Sequence, residues 1–407
     1  MKILYFHQHF TLPTNAGGTR SYELAKKLIE KGHEVTMVAG GSSDLGLSPT
    51  KNKGIYRGDV DGIDVIQIAL PYSNRDGLFK RATTFLKFGW KSVRIAFQEK
   101  YDLLFATSTP LTAGLPGIMM KLAGGKKKFV FEVRDLWPEL PKALGMKNPI
   151  FLAGMSILEW LSYHTADGCI GLSPGICEGI KKRCQKEKPI ELIPNGCDLN
   201  LFMQSDKSLT SEDLHDLPRD KKIAVFTGAH GIANGLDAII DAAKVLQDKK
   251  RDDIIIVFIG DGKMKPHLQK RVVNETISNV LFYNPIPKLK LAEIISRADV
   301  GLMILADVPA FYYGTSPNKF FDYIASGLPV VNNYPGWLAD MIIENKLGVV
   351  TIPGNPISLA EGIEYLIDND AMRKEFGMNA RKFAEQNFSR NDLGEKFESF
   401  LTKIYQS

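Results

Sequence analysis

A short segment near the middle of the second half of the chain carries residue types that suit a nucleotide diphosphate. Lys319 and Asp322 stand three positions apart, so a helix places them on nearly one face. A lysine there can neutralise phosphate charge, and a carboxylate can accept hydrogen bonds from ribose hydroxyls. Gly327 and Pro329 end the helix before a buried strand. A surface ion pair is the alternative, but it leaves the apolar flanks of the segment unexplained.

Two consecutive glycines, Gly17 and Gly18, separate the first predicted strand from the first predicted helix. Their backbone amides can approach an anion closely, and the N-terminus of the following helix adds partial positive charge. The segment lacks the Gly-Lys-Ser/Thr ending of a Walker loop and the Gly-x-Gly-x-x-Gly pattern. A tight βα turn without a ligand is therefore the alternative.

The elements around these residues predict an α/β fold. A strand at 2–6, a helix at 22–29 and a strand at 34–39 form a βαβ unit, and a strand at 221–227 followed by a helix at 236–246 starts a second one. Ligands of such sheets bind at the carboxyl ends of the strands, so we predict two Rossmann-like domains facing across a cleft. Further strands are predicted at 103–106, 129–133, 169–172, 253–259, 280–282, 300–304 and 329–331.

Length and charge agree with two domains, since 407 residues suit two units of about 200 residues each. The net charge of +5 divides into +8 for 1–200 and −3 for 201–407. This mild excess does not favour nucleic acid as a partner. The predicted parts are a first domain at 1–200, a charged linker at 201–222, a second domain at 223–385 and a final helix at 386–407 that packs back on the first domain.

The chain has features of a cytoplasmic protein. It shows no signal peptide and no apolar run of the roughly 18 residues that span a bilayer. Its four cysteines lack zinc-site spacing and are predicted to be free thiols. Asp59 and Asp61 could suggest a metal-binding pair, but the glycines beside them favour a hairpin turn, so no metal site is predicted. The cysteines are Cys169, Cys177, Cys184 and Cys197.

Ordered motifs over nearly the whole chain resemble those of the family 4 glycosyltransferases, which have the GT-B fold. The resemblance implies a retaining, metal-independent enzyme that transfers sugar from a nucleotide sugar and needs no further cofactor. Two segments, 131–139 and 228–235, resemble the branch that builds bacterial O-antigen and capsule repeats, including L-fucosamine-type amino-deoxysugar transferases. The family motifs are the Gly17-Gly18 loop, Pro194-Asn195-Gly196, Gly260-Asp261-Gly262 and 322–331.

The resemblance also implies roles for individual residues. The catalytic candidates are Asp135, which would contact the acceptor hydroxyl or the donor sugar, Lys319 and His9. A loop histidine with local hydrogen bonds is the alternative for His9. The predicted donor-binding residues are Gly17, Gly18, His230, Gly260, Lys319 and Asp322.

The chain departs from the family pattern at the donor site. Of two family glutamates separated by seven residues, the second corresponds to Asp322 and the first to Gly314, so one carboxylate is missing. An arginine and a lysine that often neutralise the diphosphate correspond to Ala229 and Asn234. Lys319 is the only nearby cation in the matching motifs and is therefore assigned to the phosphates. Further contributors to that charge are Arg134 and Arg20.

The implied reaction is hexosyltransferase-type transfer from a UDP-sugar, an N-acetylated hexosamine or deoxyhexosamine, to a saccharide acceptor. The acceptor is either a free oligosaccharide or linked to polyprenyl diphosphate, as in surface polysaccharide biosynthesis. Retention by double displacement and by same-face attack both stay open. Two other functions are compatible with the fold: a UDP-sugar 2-epimerase, which needs buried carboxylates in the first domain, and a non-catalytic nucleotide- or sugar-binding protein.

A predicted helix at 78–97 combines an apolar stripe with basic residues off the stripe, interleaved with Phe88 and Ile95. This pattern is typical of a helix on an anionic membrane surface, and the lysines at 126–128 extend it. We therefore predict a peripheral location on the inner face of the cytoplasmic membrane. An ordinary solvated helix is the alternative. The basic residues are Lys80, Arg81, Lys87, Lys91 and Arg94.

Overall fold

The computed structural model describes residues 1–15, 17–41, 45–73, 76–143, 145–184, 187–202 and 217–407. Most of the predicted linker at 201–222 lies outside these described residues. The described chain forms two β-sheets flanked by helices, which confirms the predicted α/β class with two Rossmann-like domains.

The first sheet contains nine strands in the order β3-β4-β5-β2-β1-β6-β7-β8-β9. All neighbouring pairs are parallel except β3–β4 and β4–β5. The strands are β1 (Lys2–His7), β2 (Glu34–Gly41), β3 (Ser48–Pro49), β4 (Ile55–Val60), β5 (Ile63–Ala69), β6 (Leu103–Thr107), β7 (Lys128–Val133), β8 (Gly168–Gly171) and β9 (Ile190–Leu192). The helices of this half are α1 (Arg20–Glu30), α2 (Leu78–Gln98), α3 (Leu115–Leu122), α4 (Glu139–Ala143), α5 (Pro149–Thr165) and α6 (Pro174–Arg183).

The second sheet contains six parallel strands in the order β12-β11-β10-β13-β14-β15. Its strands are β10 (Lys222–Thr227), β11 (Ile254–Ile259), β12 (Val280–Tyr283), β13 (Val300–Met303), β14 (Val330–Asn332) and β15 (Gly348–Val350). The remaining helices are α7 (Asp237–Asp248), α8 (Lys265–Asn274), α9 (Lys288–Arg297), α10 (Pro309–Tyr312), α11 (Asn318–Ala325), α12 (Trp337–Glu344), α13 (Pro356–Asp368), α14 (Asp370–Asn387) and α15 (Arg390–Gln406).

The strand order of each sheet reverses at its first strand. The chain runs from β1 to β2 on one side and returns to β6 on the other, and it runs from β10 to β11 and returns to β13. At such a reversal the connecting loops separate and leave a crevice beyond the carboxyl ends of the strands. The fold therefore directs one crevice of each domain toward the other domain.

Helix α15 returns from the second half of the chain to the first sheet. Its apolar residues are buried in the same core as Tyr5 and Phe105, and the rings of Phe105 and Phe397 are 4.9 Å apart. Contacts with α1 fix the helix beside the start of the chain. The residue bounds of the predicted domains are not themselves tested by this packing and stay a prediction.

Hydrogen bonds join the two halves near the Pro194-Asn195-Gly196 motif. Asn195 is almost fully buried, and its side-chain amide donates to the carbonyl of Ser316 at 2.5 Å. The thiol of Cys197 donates to the carbonyl of Phe321 at 3.3 Å. This motif therefore connects the first domain to the loop and helix that carry Lys319.

The prediction of which face of α2 is exposed to solvent is wrong. Phe88 and Ile95 were expected beside the basic residues in solvent, but they are 0% and 5% exposed and pack on the first sheet. Residues of the predicted apolar stripe are exposed instead, including Phe79 at 84% and Trp90 at 65%. Both sides of this helix are apolar, so the sequence pattern does not determine which side the sheet covers.

Three smaller expectations have clear outcomes. The four cysteines are free thiols, and three of them are buried. Asp61 and Gly62 have positive φ and connect β4 to β5, which confirms the predicted hairpin turn. Of the helices in the described ranges, none is long and apolar enough to cross a bilayer.

Candidate active site in the interdomain cleft

A cavity of about 630 Å³ opens between the two domains. It lies beyond the carboxyl ends of β1 and β10, where the strand order of each sheet reverses. Five of the residues predicted to bind the donor or act in catalysis line it: Gly17, Gly18, Gly260, Lys319 and Asp322. The tertiary structure therefore brings together residues that are separated by 300 positions in sequence.

The first domain contributes the glycine loop before α1. Gly17 has φ +146°, a conformation that residues with a Cβ rarely adopt. A Cβ on Gly18 would lie 2.9 Å from the side-chain nitrogen of Asn318, the first residue of α11. Glycine at this position therefore allows the start of α1 and the start of α11 to approach each other across the cleft.

The second domain contributes a second close approach of backbone to backbone. Gly260 has φ +149°, and a Cβ there would lie 1.9 Å from the carbonyl oxygen of Gly228. No side chain fits that space without moving one of the two loops. Gly228 and Gly260 thus form part of the cavity lining, and their amides donate to the carbonyls of Ile259 and Tyr283.

Lys319 occupies the centre of the second-domain wall. Its ammonium lies 3.3 Å from Oδ1 of Asn234 and 3.9 Å from the ring centroid of Phe226. No carboxylate within the described part of the chain forms an ion pair with it. Burial therefore lowers the pKa of Lys319 to about 7. An anion in the cavity would supply the missing negative charge.

Asp322 forms a buried ion pair, but not with Lys319. Its Oδ1 lies 3.1 Å from Nζ of Lys288, and both side chains are less than 10% exposed. The alternative of a surface pair between Lys319 and Asp322 is therefore wrong. Lys288 also lines the cavity, which adds a cation that the motif reasoning missed. In sequence it belongs to a Lys-Leu-Lys run typical of a solvated helix start, so no signal marked it.

His230 lies below the cavity floor and does not line it. Its ring is fully buried among Phe226, Phe258 and Phe282, and neither ring nitrogen has a hydrogen-bond partner among the described residues. Burial, with the charge of Lys265, lowers the pKa of His230 to about 4, so the ring is neutral. Its predicted contact with the nucleotide stays a prediction.

His9 and Asp135, the other catalytic candidates, lie on the first-domain side outside the cavity lining. Both follow the carboxyl ends of strands, β1 for His9 and β7 for Asp135. Both are partly buried, and burial raises the pKa of the Asp135 carboxyl. They therefore lie at the carboxyl edge of the first sheet, outside the lining of the cavity around Lys319.

Arg20 is not available to a phosphate. Its guanidinium donates to Glu132 at 2.8 and 3.1 Å and to the carbonyls of Ile193 and Pro194. All these groups are buried, so the expectation that Arg20 contributes to the diphosphate site is wrong. The other proposed cation, Arg134, keeps a partly exposed side chain.

Two buried carboxylates of the first domain bear on the epimerase alternative. Glu132 is held by Arg20 and by the hydroxyl of Thr107. Glu159 accepts from the hydroxyl of Tyr163 and the amide of Trp137, and burial raises its pKa to about 7. Neither carboxylate lines the cavity, so the donor site of the described chain is not flanked by them.

Comparison with known proteins adds independent evidence. A model of glycosyltransferase family 4 matches residues 17–201, and a model of the glycosyl transferases group 1 matches residues 210–383. The probable glycosyltransferase WbjE of Pseudomonas aeruginosa is 22% identical over 82% of this chain and 83% of its own length. The capsular polysaccharide biosynthesis glycosyltransferase CapM of Staphylococcus aureus is 22% identical over 86% and 90%.

Solved structures share the architecture of the whole chain. Sucrose-phosphate synthase from Thermosynechococcus elongatus has a TM-score of 0.77 at 18% identity and covers 100% of this chain and 99% of its own. HepE of Anabaena, solved with UDP and glucose, has a TM-score of 0.71 at 17% identity and covers 99% and 100%. The protein is a glycosyltransferase of the GT-B type. Within that class, residues 17–201 match the family 4 glycosyltransferases and residues 210–383 match the glycosyl transferases group 1.

Proposed function

We propose that the protein is a retaining, metal-independent glycosyltransferase that moves a sugar from a UDP-sugar to a saccharide acceptor in surface polysaccharide biosynthesis. The observation that carries the proposal is the cavity in which the Gly17-Gly18 loop faces Lys319 and Asp322. The neighbour HepE, solved with UDP and glucose, and the capsule relative CapM support the donor class and the biological role.

In this proposal the leaving UDP is stabilised by groups of both domains. Protonated Lys319 neutralises charge that develops on the diphosphate, and backbone amides of the glycine loops donate to its oxygens. One well-placed donor of this kind contributes about 3 kcal/mol to transition-state stabilisation. Asp322, oriented by Lys288, accepts from the ribose hydroxyls. Pro285, Ile286 and Leu291 line the same cavity and supply apolar surface for the nucleobase.

The donor proposal includes an N-acetylated hexosamine or deoxyhexosamine as the transferred sugar. It is supported by the two branch-like segments, 131–139 and 228–235. Because Gly314 replaces the family glutamate expected to hold the donor-sugar hydroxyls, another group must contact the sugar. Asp135 and His9 are our candidates, acting on the acceptor hydroxyl or the donor sugar when the cleft is occupied.

Thermal stabilisation by nucleotides tests the donor class. We expect UDP and UDP-N-acetylhexosamines to raise the melting temperature more than GDP, ADP or their sugars. Binding appears as stability, about 2.7 kcal/mol when the ligand is at one hundred times its Kd. No shift with UDP would reject the base assignment. UDP binding with donor turnover that needs no acceptor would favour the epimerase, and binding without any sugar release would favour a binding protein.

We further propose that the first domain docks on an anionic bilayer, where a polyprenyl-diphosphate-linked acceptor would be found. Exposed apolar side chains of α2 share their face of the helix with exposed Lys80, Lys87 and Arg94. Helix α3 packs against both α2 and α5. Helix α5 adds Ile150, 83% exposed, and Trp160, and its single carboxylate, Glu159, is buried. Aromatic residues ringed by lysines suit the headgroup region of anionic lipid.

Flotation with vesicles tests this surface. The full chain is expected to float with vesicles of phosphatidylcholine and phosphatidylglycerol and less with pure phosphatidylcholine. Trp160→Glu should reduce flotation several-fold, because it places a charge on the uncharged outer face of α5. Tyr365→Glu in α13 is the matched control, since Tyr365 is 45% exposed and Trp160 is 44% exposed. Equal flotation with and without anionic lipid would overturn the proposal.

A further inference from the structure

The carboxyl edge of the first sheet carries polar side chains that the cavity around Lys319 does not use. Arg81, Arg134 and Asp135 make no side-chain hydrogen bond and no ion pair with any described residue, and the ring of His9 makes none either. The Nε of Arg81 is buried without a hydrogen-bond partner in the described part of the chain. A buried donor without a partner costs about 1–3 kcal/mol, so such a group indicates a ligand.

The parallel strands explain why these side chains meet. His9 follows β1, Arg134 follows β7, and the loop after β5 leads to Arg81 in the first turns of α2. The strands β5, β2, β1, β6 and β7 are consecutive neighbours and parallel, so their carboxyl ends share the edge that faces the cleft. The backbone amide of Arg134 donates to Oγ of Ser108 at 2.8 Å, which fixes where its side chain begins.

An aromatic wall lies beside the two arginines. The rings of Tyr72 and Phe85 are stacked with centroids 5.7 Å apart, and the ring of His9 is 4.7 Å from that of Tyr72. The guanidinium carbon of Arg81 lies 5.7 Å and 5.9 Å from the centroids of Tyr72 and Phe85. The rings hold this guanidinium at the edge of the cleft while leaving its terminal nitrogens without an anion.

The charges around His9 identify this edge as electropositive. Burial, together with the charges of Arg134 and Arg81, lowers the pKa of His9 to about 4, so both arginines act on the same ring. Asp76, the acidic residue near Arg81, already accepts from Lys80 at 2.8 Å and from the amide of Ser73. Arg20, which is 6% exposed, donates to Glu132 and to two carbonyls, in contrast to Arg81 and Arg134.

We propose that Arg81 and Arg134 bind the phosphate groups of the acceptor substrate, with the stacked rings of Tyr72 and Phe85 against the sugar that adjoins those phosphates. Planar guanidinium groups match phosphate oxygens in pairs of hydrogen bonds. The inference rests on the proposed transferase function, because it names a chemical feature of the acceptor. Arg81 belongs to the helix whose exposed face is proposed to meet lipid, which favours a lipid-linked diphosphate over a soluble sugar phosphate.

Calorimetric titration of the full chain, with UDP present at saturation, tests the site while the donor cavity is filled. The probes are geranyl diphosphate, glucose 1-phosphate, inorganic pyrophosphate and geraniol. We expect geranyl diphosphate to bind and geraniol, which lacks phosphate, not to bind. Tighter binding of geranyl diphosphate than of glucose 1-phosphate assigns the phosphate to a lipid-linked acceptor, and the reverse order assigns it to a soluble one.

Variants locate the binding. Arg81→Gln and Arg134→Gln should each weaken binding of the phosphate probe at least tenfold, while the affinity for UDP changes less than twofold. Arg219→Gln is the matched control, because Arg219 is an exposed arginine that does not line the cavity, and it should leave both affinities unchanged. The retained UDP affinity also shows that each variant is folded.

The inference is overturned if both arginine variants bind the probe like the wild type, or if UDP displaces the probe. Absence of UDP binding to the wild type would instead reject the proposed donor. In that case the same titrations without UDP still test whether the arginines bind phosphate. A failure of the acceptor-phosphate site is therefore distinguishable from a failure of the proposed donor.

Discussion

The two walls of the cleft differ in how their polar groups are partnered. In the second domain Lys288 and Asp322 neutralise each other, and of the two lysines that line the cavity among the described residues Lys319 is the one without an anion. In the first domain Arg81 and Arg134 have no carboxylate partner within the described ranges, although Arg20 close by has one. A wall with its polar groups paired is preorganised for a ligand whose position is fixed. A wall with unpaired cations requires a ligand that supplies the missing negative charge.

This difference explains why the donor side was easier to identify. Lys319 and Asp322 belong to one continuous motif with its own helix, and that helix is built around buried Phe320, Phe321 and Tyr323. The groups on the opposite wall come from three separate segments, those that follow β1, β5 and β7, each with one to three relevant residues. Their proximity depends on strand order and not on spacing along the chain.

The largest expected effect breaks the pairing of the second-domain wall. Lys288→Met leaves the Asp322 carboxylate buried without its cation, which should lower the free energy of unfolding by about 3–5 kcal/mol. Asp322→Asn should destabilise the chain as well, and Asp322→Ala should weaken UDP binding. Denaturant unfolding of the single and double variants measures the coupling.

The double variant is the control for this pair. If the two residues stabilise each other, Lys288→Met with Asp322→Asn costs less than the sum of the single changes. Additive losses of unfolding free energy would show that the two residues act independently. The second-domain wall could then not be described as paired.

A smaller effect concerns Lys319 and depends on pH. In the free protein its pKa is near 7, because burial disfavours the charged form. The diphosphate favours the charged form, so binding above pH 7 takes up a proton. The Kd for UDP should therefore rise with pH, by up to about tenfold per unit, from pH 7.5 until the pKa of the complex is reached.

Lys319→Arg sharpens this test, because arginine stays charged throughout the range. The pH dependence of UDP binding should be lost in that variant, while its affinity below pH 7 stays comparable. The same slope in wild type and variant would assign the titration to another group and remove Lys319 from the phosphate site.

The smallest expected effect is that of metal removal on the rate of transfer. Charge compensation by Lys319 and the glycine amides implies that the donor needs no divalent cation, so chelation with EDTA should change the rate of transfer less than twofold. Asp61→Ala should likewise change the rate of transfer less than twofold, because Asp61 is a turn residue whose carboxylate accepts from the hydroxyl of Tyr22. A rate restored only by added Mg²⁺ or Mn²⁺ would contradict the metal-independent proposal.

Much of the fold followed from local patterns. Glycine loops after apolar strands and amphipathic helices such as α1 are short-range features, and they placed ten of the described strands within two residues. The strands β3, β4, β5, β9 and β15 were not predicted. The family motifs then identified Gly17, Gly18, Gly260, Lys319 and Asp322, which do line one cavity. The roles of these residues in binding and catalysis stay predictions.

Other features could not be read from local patterns. The sequence alone established two α/β domains, a glycosyltransferase resemblance and the residues of a donor motif, because each depends on neighbours within about fifteen positions. Tertiary structure decided that Phe88 is buried while Trp90 is exposed. It also decided that Arg20 forms an ion pair with Glu132 and that Lys288 forms one with Asp322. Each of these outcomes depends on contacts between segments that are far apart in sequence. Burial and charge pairing arise from those contacts, so local sequence patterns do not determine them.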